Sequence, residues 1–301
     1  MLQRSITGFF IVLFTVAFVL LKQVSILFFD AFALIIMYVS LYEVIGANKI
    51  ARKKINSLAL YFVPILVFLA YYFAESTLVA LLYNVLIVIT LFVYLMTVDI
   101  IEFAIHRKNN TTEKNVSVLN QSLFDKTKNS LCVYAYPILP LTFIFAINHL
   151  PYELGYVGII LMFSVAMMTD TMAYLVGKFF GKKKFIPEVS PKKTIAGVFG
   201  GFLGGIIAAL ACFFIFYYTD IFFVLNMAGK TASLVVLLII GFVGAYITQL
   251  GDLVASALKR KVGIKDFSNV FPGHGGFMDR VDGLMFVSVF VYVVLTMVFI
   301  V

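Results

Sequence analysis

Charged side chains are scarce in this chain. Asp, Glu, Lys and Arg make up 13% of its 301 residues, whereas 62% are hydrophobic, and the mean hydropathy is +1.05. A soluble domain carries roughly 25% charged and 45–50% apolar residues. The composition therefore excludes a protein with a water-facing surface all round and predicts an integral membrane protein.

Cysteine is also scarce, and the motifs of common soluble nucleotide-binding or nucleic-acid-binding domains are absent from the sequence. Cys132 and Cys212 each lie in an apolar run without ligand-like neighbours, which excludes a disulfide framework or a cysteine metal site. The chain has no Gly-x-x-x-x-Gly-Lys-Ser/Thr loop. It has no soluble basic domain either, so nucleic acid is not an expected partner. The apolar stretch after Arg4 lacks a small-residue cleavage site, and we expect it to remain as a first helix.

Long apolar runs fill most of the sequence. A helix needs about 20 residues to cross roughly 30 Å of hydrocarbon, and nine runs approach that length. They predict an all-α polytopic membrane protein with transmembrane helices at about 5–21, 25–44, 58–74, 77–103, 129–148, 154–177, 195–219, 231–250 and 283–301. Residues 1–150 would hold about five spans, and residues 151–301 a catalytic region with cytoplasmic loops 178–194 and 251–282. The polar segment His106–Asn129 is predicted to be a mobile loop.

The basic residues predict the orientation of the chain. Lys and Arg cluster after the second, fourth, sixth and eighth spans, whereas the opposite loops hold only Lys22 and Lys230. Basic residues accumulate on the cytoplasmic side of membrane proteins. We therefore expect a multi-pass protein of the cell membrane with its N-terminus in the cytoplasm, its C-terminus outside and its chemistry at the cytoplasmic face.

Among the acidic residues inside or beside predicted spans, where a charge at mid-bilayer costs roughly 2.5–3.5 kcal/mol, four aspartates lie near the cytoplasmic ends of spans in the C-terminal half. Asp170 lies in the sixth span, Asp252 ends the eighth, and Asp279 and Asp282 precede the ninth. The topology brings all four to about one depth on one side of the membrane. A salt bridge explains any one of them equally well, but their convergence favours a divalent-cation site. Mg²⁺ suits such oxygen ligands, because it binds one or two carboxylates together with phosphates and water.

Two loops rich in lysine and glycine predict phosphate contacts. The first runs from Gly177 to Thr194 and the second from Ser256 to Gly276. Lysine is a compact positive charge suited to phosphate, and glycine lets backbone N–H groups approach an anion. Taken alone, such a loop is also typical of a turn that re-enters the membrane. Beside the carboxylates, the loops indicate magnesium-assisted nucleotidyl or phosphoryl transfer to a lipid phosphate.

The segment from Ser256 to Asp282 resembles the signature of the phosphatidate cytidylyltransferase (CDP-diglyceride synthase) family. The matching positions are Ser256, Lys259-Arg260, Lys265-Asp266, Ser268, Pro272, His274-Gly275-Gly276, Asp279-Arg280 and Asp282. An upstream block is also similar, comprising Asp170-Thr171, Ala173-Tyr174, Gly177-Lys178, Gly181-Lys182 and Ser190–Thr194 with Gly197 and Gly200-Gly201. The resemblance covers roughly residues 165–301, whereas residues 1–160 match only in having several spans.

The resemblance implies that CTP and phosphatidic acid condense to CDP-diacylglycerol and pyrophosphate, with Mg²⁺ as cofactor and the lipid bilayer as the setting. The implied catalytic residues are Asp252, Asp279, Lys259, Arg260 and His274. His274 is also a candidate to cap a turn. The implied substrate-binding residues are Ser190, Lys192, Lys193, Thr194, Ser256, Lys265, Asp266, Gly275, Gly276 and Arg280. The implied metal ligands are Asp252 and Asp279, supported by Asp170 or Asp282.

Two departures from the family pattern leave alternatives open. Family members often carry Glu where this chain has Ala196 and Ala255. An inactive paralogue, a CTP-dependent kinase of a lipid alcohol and a non-catalytic scaffold therefore stay open, as does a homodimer. A secondary transporter is the alternative from another class, and it would depend on Asp30, Asp99 and Glu102. Transporters bind substrate near the bilayer midplane between repeats, and no convincing repeat relates the two halves.

Overall fold

Helices make up most of the part of the chain that the computed structural model describes, which is residues 13–109, 113–151, 153–218, 229–270 and 275–300. Residues 13–21 are helical and precede α1 (Ile26–Ile50), α2 (Ser57–Phe73), α3 (Thr77–Asn109) and α4 (Glu113–Val133). A short π-helical segment, Tyr134–Ile138, leads into α5 (Leu139–Asn148) and α6 (Leu154–Phe180). The C-terminal half continues with α7 (Ile195–Tyr217), α8 (Lys230–Val262) and α9 (Met278–Phe299).

The described helices confirm a multi-pass membrane architecture. Seven stretches are long and apolar enough to cross a membrane: Ile26–Ile50, Thr77–Glu102, Phe124–Asn148, Leu154–Phe180, Ile195–Tyr217, Lys230–Val262 and Met278–Phe299. The apolar helix α2 is shorter, at 17 residues. The predicted first span begins outside the described residues. Nine spans and an N-terminus in the cytoplasm stay predictions.

The segment His106–Asn129, predicted to be a mobile loop, is largely helical. Helix α3 continues to Asn109, and α4 begins at Glu113. The hydroxyl group of Thr127, which is buried on α4, donates a hydrogen bond to the carboxylate of Asp99 on α3. The backbone N–H of Asn56 donates to the hydroxyl group of Ser130 at 2.8 Å, which ties α4 to the turn before α2. The loop prediction was wrong because long-range contacts stabilise a helix whose composition is polar.

The two predicted cytoplasmic loops are also more regular than expected. The predicted loop 251–282 is helical up to Val262 and again from Met278, which leaves residues 263–277 between α8 and α9. Basic residues at the end of α8 suit that position, since cations are favourable near the negative end of a helix dipole. The predicted loop 178–194 contains an antiparallel hairpin of β1 (Lys184–Ile186) and β2 (Ser190–Thr194), which an all-α prediction omits.

A glycine crossing holds α7 against α8. A methyl group added to Gly205 would lie 2.2 Å from the carbonyl oxygen of Gly241, and one added to Gly241 would lie 2.4 Å from the carbonyl oxygen of Gly205. Small residues allow such close approach of helix backbones, as is common in membranes. This crossing brings the start of α7, just after the hairpin, alongside α8.

Replacing Gly205 with alanine is expected to lower the free energy of unfolding by about 1–3 kcal/mol, because the new methyl group overpacks the crossing. The measurement is the thermal unfolding of the purified chain in detergent, followed by circular dichroism. Gly46→Ala is the matched control, since nothing lies within 4 Å of a methyl group at that helical position. Equal melting temperatures for the two variants would contradict this account of the crossing.

Candidate functional site

Lys193 and Asp252 join the hairpin to α8. The ammonium nitrogen of Lys193 lies 3.0 Å from a carboxylate oxygen of Asp252 and donates to the carbonyl oxygen of Gln249 at 3.1 Å. The side chain of Asp252 is 39% exposed, whereas that of Lys193 is 11% exposed. The ion pair joins the two predicted cytoplasmic loops, 178–194 and 251–282, and leaves the carboxylate of Asp252 partly accessible.

Two further contacts fix the end of α8. The side chain of Arg260 donates from Nε to the carbonyl oxygen of Val189 in the hairpin turn at 3.4 Å. Lys259 lies on the buried face of α8, and its ammonium nitrogen is 2.5 Å from Oδ1 of Asp279 at the start of α9. Both side chains are almost inaccessible, so the pair compensates two charges that would be costly to bury separately.

Asp279 also organises the segment that precedes it. Its Oδ2 accepts hydrogen bonds from the backbone N–H groups of Phe267 at 3.1 Å and Gly276 at 2.9 Å. A methyl group at Gly276 would lie 2.7 Å from a carboxylate oxygen of Glu43, so only glycine fits there. Both oxygens of Asp279 are engaged in this arrangement, which gives the residue a structural role beside the one predicted.

Three carboxylates are close enough to interact electrostatically: those of Asp170 on α6, Asp252 on α8 and Asp282 on α9. The positive charges of Lys193 and Arg280 interact electrostatically with the carboxylate of Asp170, and that of Lys259 interacts with the carboxylate of Asp282. Among the described residues, no group of three or more His, Cys, Asp or Glu side chains is placed to hold a metal ion. Mg²⁺ needs only one or two carboxylates when phosphates and water complete its shell. The donors therefore fit a magnesium ion that the protein and a nucleotide hold together, with the partly exposed Asp252 as one ligand.

The other predicted site residues take several positions. The hydroxyl oxygen of Thr194 accepts from the N–H of Gly197 and caps α7. Ser256 is buried on the same helix as Lys259, and Ser190 pairs with Ile186 in the hairpin. The side chains of Lys192, Lys265, Asp266 and Arg280 are exposed, and Gly275 has a positive φ of 85° beside the carboxylate of Asp266. His274 and Pro272 lie outside the described residues.

Glu43 is a site residue that sequence reasoning missed. It lies on α1, is 2% exposed, and accepts hydrogen bonds from the hydroxyl of Ser268 at 2.5 Å and from the N–H groups of Phe277 and Met278 at 2.8 and 2.7 Å. A carboxylate is stabilised at a helix N-terminus, and here it stabilises the start of α9 in return. The available signal was an acidic residue inside an apolar span, which needs a partner.

Two uncharged residues were also missed. The side-chain amide of Gln249 on α8 donates to the carbonyl oxygen of Val198 at 3.3 Å. The backbone carbonyl oxygen of Gln249 in turn accepts the hydrogen bond from Lys193. Tyr136 places a buried hydroxyl group within electrostatic range of Asp252, Asp279 and Asp282. No hydrogen-bond partner for that hydroxyl occurs within the described ranges. Neither residue stands out in the sequence, because each lies among apolar neighbours.

The two positions where family members often carry Glu also face protein. Ala255 is fully buried on α8, and Ala196 is half-buried in the first turn of α7. The acidic groups of this end of the bundle therefore come from α1, α6, α8 and α9, without a contribution from these two alanines.

Chemically, the assembled site offers an accessible carboxylate and several cations at one end of the bundle. The exposed side chains Lys192 and Arg280 lie beside the compensated pairs Lys193–Asp252 and Lys259–Asp279. Such a set suits a substrate with several phosphates, since lysine and arginine bind phosphate oxygens and carboxylates bind the accompanying cation.

Comparisons with known proteins agree with this chemistry. The model of the cytidylyltransferase family matches residues 2–298. A phosphatidate cytidylyltransferase of Bacillus subtilis (strain 168) is 43% identical over 133 residues, which are 44% of this chain and 45% of that protein. The protein of the same name from Staphylococcus aureus (strain COL) is 38% identical over 171 residues, or 57% of this chain and 60% of that protein. The aligned regions thus span about half of the relatives' length.

Proposed function

Because the chain belongs to the cytidylyltransferase family, we propose that it condenses CTP with phosphatidic acid to form CDP-diacylglycerol and pyrophosphate. The reaction would depend on Mg²⁺ and take place at the cytoplasmic face of the cell membrane. The observation that carries the proposal is the pair of ion pairs, Lys193–Asp252 and Lys259–Asp279, which join the hairpin, α8 and α9 at one end of the bundle.

In this reaction an oxygen of the lipid phosphate forms a bond to the α-phosphorus of CTP. The bond from that phosphorus to the bridging oxygen breaks, and pyrophosphate leaves with the electron pair. Negative charge builds up on the transferring group and on the leaving group, so fixed cations lower the barrier. Lys193 is held by Asp252 and Gln249, and the exposed side chains of Lys192 and Arg280 add further positive charge.

The carboxylates have a separate task. Mg²⁺, when bound, would neutralise phosphate charge and polarise the phosphoryl oxygens. Asp252 is the ligand of first choice, because its partly exposed side chain interacts with Asp170, Asp282 and Lys193, whereas Asp282 is 5% exposed. The ion pairs keep the remaining charges compensated before substrate binds, which avoids the cost of uncompensated buried charge.

The test uses the purified chain in detergent with CTP labelled either at the α-phosphorus or at the γ-phosphorus, and with phosphatidic acid or diacylglycerol in parallel reactions. We expect the lipid product to carry the α-label alone, with pyrophosphate released and turnover lost when a chelator removes Mg²⁺. A lipid labelled from the γ-phosphorus, formed from diacylglycerol, would instead identify a CTP-dependent lipid kinase. No labelled lipid from well-folded protein would favour an inactive paralogue.

The transporter alternative receives less support from the described contacts. Asp30 accepts hydrogen bonds from Asn148 and His149, Asp99 accepts one from Thr127, and Glu102 pairs with Lys126. Each carboxylate that ion-coupled transport would use is thus engaged with a neighbouring helix. These contacts are typical of residues that hold helices together.

A further inference from the structure

A basic cleft opens in the N-terminal half of the protein, apart from the site described above. It has a volume of about 530 Å³ and lies between the turn after α1 and the helix α4. Four cations line it against a single carboxylate, that of Asp125. The cations are Arg52, Lys53, Lys54 and Lys128.

Three of the four cations of this cleft, Arg52, Lys53 and Lys128, line it without a charged partner in the described part of the chain. Within the described part of the chain, the side chains of Arg52, Lys53 and Lys128 form no ion pair and no hydrogen bond. The backbone of Arg52 has a φ of 55°, a conformation that few residues other than glycine adopt. Such strained positions occur where the surroundings favour them, and they are common at binding sites. The cleft is therefore suited to an anion.

An apolar groove adjoins the basic cleft. It has a volume of about 390 Å³, and Lys128 lines both cavities. One face of the α4–π-helix stretch supplies Phe124, Leu131, Cys132 and Ala135, and α3 supplies Phe92 and Met96. A cluster of positive charge thus continues into a channel of aliphatic and aromatic side chains.

The position of both cavities along the spans matches the layers of a membrane. The groove-lining residues of α3 and α4 lie within the membrane-crossing stretches Thr77–Glu102 and Phe124–Asn148. Arg52, Lys53 and Lys54 follow the end of α1, and Gln121 precedes Phe124, so the cleft lies at the boundary of those stretches. The groove thus falls within stretches that can cross a membrane, and the cleft reaches the ends of those stretches.

The floor of the groove is fixed by contacts between α3 and α4. The Thr127 hydroxyl binds Asp99, and the ammonium group of Lys126 lies 2.7 Å from a carboxylate oxygen of Glu102. The helices therefore hold the groove open as a preformed shape. Preformed sites bind more tightly, because less order has to be imposed on binding.

We propose that this cleft and groove bind one anionic phospholipid, with its phosphate headgroup among Arg52, Lys53 and Lys128 and an acyl chain between α3 and α4. Juxtamembrane lysine and arginine clusters attract anionic headgroups, and an apolar channel beside them selects a ligand with a tail over a free phosphate. The site lies on the same side of the bundle as the C-terminal end of α1, where Glu43 contacts the proposed active site.

The test is native mass spectrometry of the full chain in detergent with phosphatidylglycerol or phosphatidylcholine of equal chain length. We expect phosphatidylglycerol to be retained about fivefold more tightly than phosphatidylcholine, and Lys128→Gln to remove most of that preference. Lys49→Gln is the matched control, because it removes the same charge from an exposed position on α1 outside the cleft. Ala135→Phe, which fills the groove at an exposed position, is expected to weaken the retention of both lipids.

Equal effects of Lys128→Gln and Lys49→Gln would overturn the proposal, as would equal retention of the two lipids by the wild-type chain. Displacement of phosphatidylglycerol by millimolar inorganic phosphate would identify a free-phosphate site and contradict the lipid assignment. The assay contains no CTP and measures no turnover, so its result is independent of the proposed reaction.

Discussion

Asp252→Asn is expected to lower the rate of CDP-diacylglycerol formation by at least about 10²-fold while the chain stays folded. The loss of one well-placed electrostatic contact to a transition state typically costs 10²–10³ in rate, and the partly exposed carboxylate of Asp252 interacts with Lys193, Asp170 and Asp282. The measurement is the initial rate of transfer of α-labelled phosphorus from CTP to lipid, with melting temperature recorded in parallel. We expect kcat to fall more than KM rises, since the interaction is strongest in the transition state.

Glu102→Gln is a closely matched control for this variant. Its side chain is also 39% exposed and also pairs with a lysine, Lys126, but on α3 and α4, away from the hairpin. We expect this control to keep its activity within about twofold, because surface ion pairs contribute little. If both variants lost activity equally, Asp252 would have no special role. Asp279→Asn is a less specific test, since that residue also holds Lys259, Phe267 and Gly276.

Glu43→Gln is expected to reduce activity by about 10–100-fold and to lower the free energy of unfolding by about 1–3 kcal/mol. The carboxylate accepts three hydrogen bonds, and an amide would offer one oxygen and turn two N–H donors towards the donors of Phe277, Met278 or Ser268. A buried donor left without an acceptor costs roughly that amount. Residues 263–277 would then lose their attachment to α1, although Glu43 itself has no predicted contact with substrate.

The variant Asp30→Asn tests whether Glu43 positions the site or only stabilises the fold. Asp30 is 1% exposed on the same helix and accepts hydrogen bonds from Asn148 and His149, but it lies near the opposite end of α1. We expect a similar fall in melting temperature with kcat nearly unchanged at a temperature where both variants are folded. A kcat loss as large in Asp30→Asn as in Glu43→Gln would show that Glu43 acts through stability alone.

Much of the architecture follows from local sequence. Runs of about 20 apolar residues predict spans, because no other structure satisfies backbone polar groups inside a bilayer except helices and closed barrels. The predicted spans near 25–44, 77–103, 154–177 and 195–219 correspond to long helices of the structure. Helix ends were less accurate, as at α8, which continues twelve residues beyond the predicted residue 250 to Val262. The charged last turn of α8 has the low hydropathy that is typical of a loop, but it is helical.

The candidate site was predictable in part. The signature segment pointed to Lys259 and Asp279, and the aspartate at the end of the eighth span pointed to Asp252. The structure brings Lys259 and Asp279 into contact. The roles within the set could not be read from the sequence, since Asp279 binds the backbone of its own segment and Thr194 caps a helix. Hydrogen bonds of this kind depend on where the backbone turns, which composition and spacing do not specify.

By itself, the sequence determined that this protein lies in a membrane, that it is helical, and that the residues of its family signature lie in the C-terminal half. These properties depend on hydropathy, charge and a local motif, all of which are additive along the chain. Only the tertiary structure decided that Glu43 holds a segment more than two hundred residues away, that Lys193 pairs with Asp252, and that a basic cleft opens beside an apolar groove. The physical reason is that partners for buried charges are selected by the packing of distant helices, and the packing of the whole bundle determines which side chains meet.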